Sequence, residues 1–145
     1  MTGPGAGDRV TLGQVWTFND LRFRGDRQFG DNRVAGLPPH VLRTTLAYAR
    51  PDGLFVRPRL DWVPQGAWAD YANTLRANSY ITVGLEAGFS PAPGVFLFLD
   101  ARNLTGKRYV SDLSTIADAR APGANTAVFY PGERRSVYAG ARVSF

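Results

Sequence analysis

R-S-V-Y-A-G-A-R-V-S-F, Arg135 to Phe145, closes this chain. Side chains alternate across a strand. Val137, Ala139, Ala141, Val143 and Phe145 therefore share one face, and Ser136, Tyr138, Gly140, Arg142 and Ser144 share the other. The first face is wholly apolar, and the second is polar and carries a charge. Such a strand, ending on an aromatic, suits a sheet with hydrocarbon against one side and water or protein against the other, as in a transmembrane β-barrel.

Working upstream, the alternation predicts five more strands, at 14–24, 40–50, 54–65, 80–89 and 95–105, with the last at 135–145. Each is roughly 10–12 residues, close to the length of a tilted membrane strand and about twice that of an ordinary soluble one. Ile81, Val83, Leu85, Ala87 and Phe89 oppose Tyr80, Thr82, Gly84, Glu86 and Gly88. Val95, Leu97, Leu99 and Ala101 oppose a face with Asp100 and Arg102. Leu54, Val56, Leu60 and Trp62 oppose Phe55, Arg57, Arg59 and Asp61, while Leu42, Leu46 and Tyr48 oppose Arg43, Thr45 and Ala47. The first strand is less regular: Trp16 and Phe18 share a face but Leu21 and Phe23 do not, which predicts a bulge or a strand leaving the membrane. Pro58 deletes a ladder hydrogen bond, and a bulge is the expected remedy.

The connections alternate in length. Pro51-Asp52-Gly53 and Ser90-Pro91-Ala92-Pro93-Gly94 are short and carry turn residues, whereas 25–39, 66–79 and 106–134 are long. Membrane barrels have this asymmetry, with short turns on one rim and long loops on the other. Tyr48, Phe89 and Phe145 each end an apolar face beside the short-turn rim, as an aromatic girdle would, and Trp62 belongs to the opposite girdle.

Hydrophobic residues make up 44% of the chain, so disorder throughout is excluded. The absence of Cys excludes disulfides, thiolate metal sites and cysteine nucleophiles. A net charge of +5 raises nucleic acid as a partner, but the cations, all Arg except Lys107, are interspersed with carboxylates. His40 is the only His, and no Ser sits in a nucleophile-elbow context. The expectation is no enzyme, no metal site and no cofactor. Residues 1–13 are expected to form an irregular tail, with one domain at 14–145. M-T-G-P-G-A-G-D-R-V has no apolar run and is no signal peptide, so the expectation is the back end of a longer protein or an accidental start.

Asp100 to Tyr109, D-A-R-N-L-T-G-K-R-Y, followed after a variable loop by Phe129 to Phe145, F-Y-P-G-E-R-R-S-V-Y-A-G-A-R-V-S-F, resembles the C-terminal end of TonB-dependent outer-membrane receptors. Gly30 to His40 (G-D-N-R-V-A-G-L-P-P-H), Trp62 to Gly66 (W-V-P-Q-G) and Ala72 to Leu75 (A-N-T-L) are also similar to that family. The resemblance implies the last six strands of a barrel of about 22, without the plug domain and its TonB-contacting motif. The fold class expected is all-β: an antiparallel meander of six long strands, open and curved when alone, in the bacterial outer membrane.

The implied function is energy-coupled uptake of a scarce nutrient, a ferric siderophore or another small metal chelate, without bond chemistry. The implied partners are outer-membrane lipid, the rest of the barrel, the plug and through it TonB, and the barrel assembly machinery. Ligand contacts are expected from the loops at Arg24, Arg27, Trp68, Tyr71, Arg76, Arg120 and Tyr130. Arg43, Arg57, Arg59, Asp61, Glu86, Asp100, Arg102 and Arg142 are expected to form an ion-pair wall facing the lumen. Tyr138, Gly140, Val143 and Phe145 match the family's C-terminal assembly signal. The competing expectation is a soluble basic β-barrel binding single-stranded nucleic acid, which requires aromatics interleaved with Arg on one exposed face. A small closed barrel around a lipophilic ligand could not also hold these large apolar side chains inside.

Overall fold

The computed structural model describes Gly5 and residues 7–145. Met1–Pro4 and Ala6, within the stretch read as a tail, lie outside the described residues. Eight strands form: β1 (Arg9–Phe18), β2 (His40–Ala49), β3 (Phe55–Val63), β4 (Tyr80–Ala92), β5 (Val95–Arg102), β6 (Val110–Leu113), β7 (Phe129–Pro131) and β8 (Ser136–Val143). Six of them make one antiparallel sheet in the order β1-β2-β3-β4-β5-β8, and β6 and β7 make a separate ribbon. The large sheet does not close, because β1 and β8 do not pair with each other.

The register carries the alternation across the whole sheet. Val10, Tyr48, Val56, Ala87, Leu99 and Ala139 lie in one cross-strand row, and Trp16, Leu42, Trp62 and Ile81 in another. Cross-strand partners share a face, so the apolar residues form a continuous surface. Nothing in the described chain covers it: Leu12 is 70% exposed, Trp16 64% and Val137 59%, and Ala139 and Val143 are exposed too. Buried apolar residues are few and small. Ala35, Val63, Ala67, Ala69 and Val128 gather where the long connections meet, and Ala101 lies near the same end of β5. The sheet is thus a single layer with its packed part at one end.

Two polar residues interrupt the apolar face, and they pair with each other. Gln14 and Thr44 are cross-strand partners, and the Thr44 hydroxyl donates to Gln14 Oε1 at 2.6 Å. A hydrogen-bonded pair is far less costly beside an apolar medium than two lone groups. At the long-connection end of the same face, Trp16 Nε1 donates to His40 Nδ1 at 3.2 Å, and the Phe18 ring stacks on His40 with centroids 5.0 Å apart.

The predicted boundaries shift at several points. β1 starts at Arg9, inside the stretch expected to be irregular, and ends at Phe18 instead of reaching residue 24. All ten of its residues pair with β2. Asn19 then leaves the ladder: its amide and side chain donate to the carbonyls of Pro39 and Pro38 at 2.9 and 3.0 Å. Leu21 and Phe23 therefore belong to a loop, where alternation has no meaning. No bulge forms at Pro58. The β2–β3 register is the same on both sides of it, the pairs opposite Leu46 and Ala47 are missing, and Pro58 still sits opposite Leu85 in β4. The one shift in the sheet comes between Phe89 and Ala92, where β4 runs on to the Pro93-Gly94 turn. The ribbon β6–β7 inside the last connection was not predicted.

Candidate functional site: the loop end and its polar face

Three connections, 19–39, 64–79 and 103–135, meet at one end of the sheet. The first doubles back on itself through bridges between Arg22 and Arg33 and between Asp26 and Gly30. The other two are knitted by backbone bonds: Ile116 N to Ala69 O, Tyr71 N to Ile116 O and Ala72 N to Ala117 O, each 3.0 Å. Asp70 sits at the centre, fully buried. Its carboxylate accepts from the Thr74 amide and hydroxyl (2.8 and 2.6 Å), the Leu75 amide (2.9 Å) and, from the other connection, the Ala119 amide (3.1 Å). Burial pushes its pKa up, but these four donors outweigh it and hold the group below its ordinary value. Asn73, with a positive φ of 56°, completes the join by exchanging hydrogen bonds with the backbone of Arg33.

A second knot involves Asn103, also buried and at φ 46°. Its side chain donates to the carbonyls of Lys107 (2.8 Å) and Glu133 (2.9 Å) and accepts from the Lys107 amide (2.9 Å). Tyr109 packs against Tyr80 in a tilted pair with centroids 4.5 Å apart, and its ring lies directly on Gly132, where any side chain would collide. The N-L-T-G-K-R-Y and Y-P-G-E stretches are far apart in sequence, yet each supplies half of this packing.

The polar face carries a chain of ion pairs. Arg43 meets Asp61 between β2 and β3. Arg57 and Arg59 each reach Glu86 in β4 at 3.1 Å, Arg59 lies 3.6 Å from Asp100 in β5, and Arg102 contacts Asp100 at 2.7 Å. Arg102 continues to Glu133 at 3.4 Å and stacks on the Tyr138 ring. Of the eight charges named from the sequence, seven are ion-paired: Arg57, Arg59, Glu86, Asp100 and Arg102 in one connected network, and Arg43 with Asp61 as a separate pair. Arg142 lies opposite Phe96 and makes no ion pair among the described residues. Glu133 was not anticipated. The hydroxyls of Ser136 and Tyr138, then Arg102, hold its pKa below the usual carboxylate range.

The seven loop residues named as ligand contacts do not converge. Arg24 and Arg27 are exposed in the first loop. Trp68 and Arg76 do meet: the guanidinium covers the indole at 4.9 Å while Arg76 Nε donates to the Gly66 carbonyl. Tyr71 packs against Phe23 and Phe29, Arg120 is bound to Asp118, and the Tyr130 hydroxyl lies 3.0 Å from that of Ser114. None of the seven lines either of two cavities at this end, one of 540 Å³ and one of 220 Å³. At the end of the chain Gly140 lies beneath the Phe98 ring, while Val143 and Phe145 are exposed on the apolar face.

The sequence reading missed the 540 Å³ cavity. Its walls are Gly106, Lys107, Arg108, Tyr109, Pro131, Gly132, Arg134 and Arg135. The signal was present as two adjacent basic pairs, but nothing local brings them together. No protein-family profile matches the chain, and no curated protein matches it.

Proposed function

We propose that this chain is the C-terminal six-stranded part of a TonB-dependent receptor in the bacterial outer membrane. The whole protein then takes up a scarce nutrient, a ferric siderophore or similar anionic metal chelate, driven through a plug domain. One observation carries the membrane reading: an apolar face continuous over six long strands that no other part of the described chain covers. Lipid is the solvent such a surface requires. The paired charges on the opposite face suit a lumen filled by a plug, and loop arginines suit an anionic cargo.

The register adds a quantitative argument. Tyr48 shares a row with Ala87 and Ala139, which precede Phe89 and Phe145 by two and six residues, two and four strands away. Placing the three aromatics at one height therefore needs strands tilted by roughly 35–45°, the tilt of a membrane barrel. The packing of Asn103, Tyr109 and Gly132 gives a physical reason for the motif that prompted the resemblance.

The test compares two substitutions on adjacent residues of β1 within the full-length receptor. Leu12→Arg puts a cation on the apolar face near mid-strand, at a cost of about 2–4 kcal/mol in lipid, whereas Thr11→Arg points to the polar face. Heat-modifiable barrel in outer-membrane fractions should fall for the first and persist for the second. Equal behaviour of the two would overturn the face assignment.

A second reading, binding of single-stranded nucleic acid, draws on Phe55, Phe96 and Phe98, which stand on the polar face with Arg57 beside Phe55. Phe55 and Phe96 lie side by side over Gly88 and Phe98 lies over Gly140, so one face of each ring is against the sheet, while Phe98 remains 43% exposed. A salt-dependent gel shift with single-stranded DNA would favour this reading.

A further inference from the structure

We propose that Lys107, Arg108, Arg134 and Arg135 form a binding groove for the phosphate groups of anionic membrane lipid. The inference rests on the membrane reading above and goes beyond it, since nothing in uptake of a cargo requires such a groove.

Four cations and no carboxylate line the 540 Å³ cavity. None of the four makes a salt bridge among the described residues, whereas most other arginines do. Glu133 is next to Arg134 in sequence, but its carboxylate turns away to Arg102, Ser136 and Tyr138. The local charge is therefore uncompensated among the described residues. Asn103 makes the groove a built one, because a single side-chain amide grips the backbone at both Lys107 and Glu133 and so fixes the two basic pairs beside each other. Tyr109 on Gly132 closes the floor, and the Arg135 guanidinium reaches across to Gly106. Guanidinium forks and a lysine point charge are the groups that recognise phosphate oxygens.

Position selects the source of the phosphate. Arg135 is two residues from Val137, at the end of the apolar face of β8. Lys107 also lines a neighbouring cavity with Trp62 and Ile81, both exposed on that face. The cations thus stand where the apolar surface stops, on the long-connection side. A free anion gains nothing from the apolar neighbour, but a lipid presents hydrocarbon and phosphate in that order. Basic side chains at such a boundary also extend their heads toward the polar layer.

The test dilutes the full chain from urea onto vesicles of phosphatidylcholine, or of phosphatidylcholine doped with phosphatidylglycerol, and measures binding by flotation. Wild type should bind the anionic vesicles more tightly. The double variants R134Q/R135Q and K107Q/R108Q should each lower that gain by about thirtyfold, while R22Q/R50Q, an equal loss of charge at ion-paired positions, should change it less than about threefold. Equal losses in all three would reduce the effect to net charge and overturn the groove. Displacement by inorganic phosphate at constant ionic strength would overturn the lipid assignment in favour of a free-anion site. Binding to neutral vesicles with no gain from phosphatidylglycerol would overturn this inference and leave the membrane reading standing. Binding to neither kind of vesicle would overturn both.

Discussion

Asp70 shows what a single residue contributes that alternation cannot reveal. In W-A-D-Y it is an ordinary loop carboxylate, and the donor that makes it matter, the Ala119 amide, lies 49 residues away. Its role is illegible for that reason, whereas Asn103 and Gly132 lie in the two stretches that carry the family resemblance. Leaving buried donors unpaired costs about 1–3 kcal/mol. Asp70→Ala should therefore speed amide exchange at Thr74, Leu75 and Ala119 by about tenfold or more in the detergent-solubilised chain, with strand amides unaffected. Exchange rates equal to wild type would remove Asp70 from this role. The same carboxylate sets a pH dependence. Its pKa in the folded state lies below the ordinary 3.8, so its contribution is complete above that value and is lost as pH falls through the depressed one. After correction for the intrinsic pH dependence of exchange, protection of these amides should hold down to about pH 4 and weaken below it.

Strands were the most legible part of the molecule. Five of the six predicted ranges overlap the observed strands closely, because each writes its two faces over many residues. The first was misplaced because Gln14 breaks its apolar series, and only the pairing of Gln14 with Thr44 shows that the series continues back to Val10. The ion-pair chain was legible as a set of charges on one face but not as a network, since partners depend on register. Register also distinguishes charges of equal appearance. Glu86 serves Arg57 and Arg59 together, and Arg142 makes no ion pair among the described residues. Glu86→Gln should lower the urea stability of the folded sheet in detergent by about 1 kcal/mol, allowing for solvent screening of these part-exposed groups. Arg142→Gln should change it by less than about 0.5 kcal/mol. Similar losses for both would show that the network has no special weight.

On the scale of the whole molecule, the sheet has two long unpaired edges, β1 and β8, and one naked apolar face. Water cannot solvate that face well, and lipid cannot satisfy an open edge. In plain buffer the isolated chain should therefore self-associate, and light scattering after size exclusion should find a small discrete species only with detergent present. A monodisperse monomer without detergent would contradict the membrane reading. The cavities and the loop assembly were beyond the reach of the sequence, since they exist only where three connections converge. Asp70 and Asn73 bind those connections into a unit: one grips the third from the second, and the other grips the first. A guest that displaces any one of them must strain its neighbours as well. Free-energy effects of paired substitutions in different connections should consequently be non-additive, and the rim would respond to any bound molecule as one cooperative piece rather than as three separate fingers.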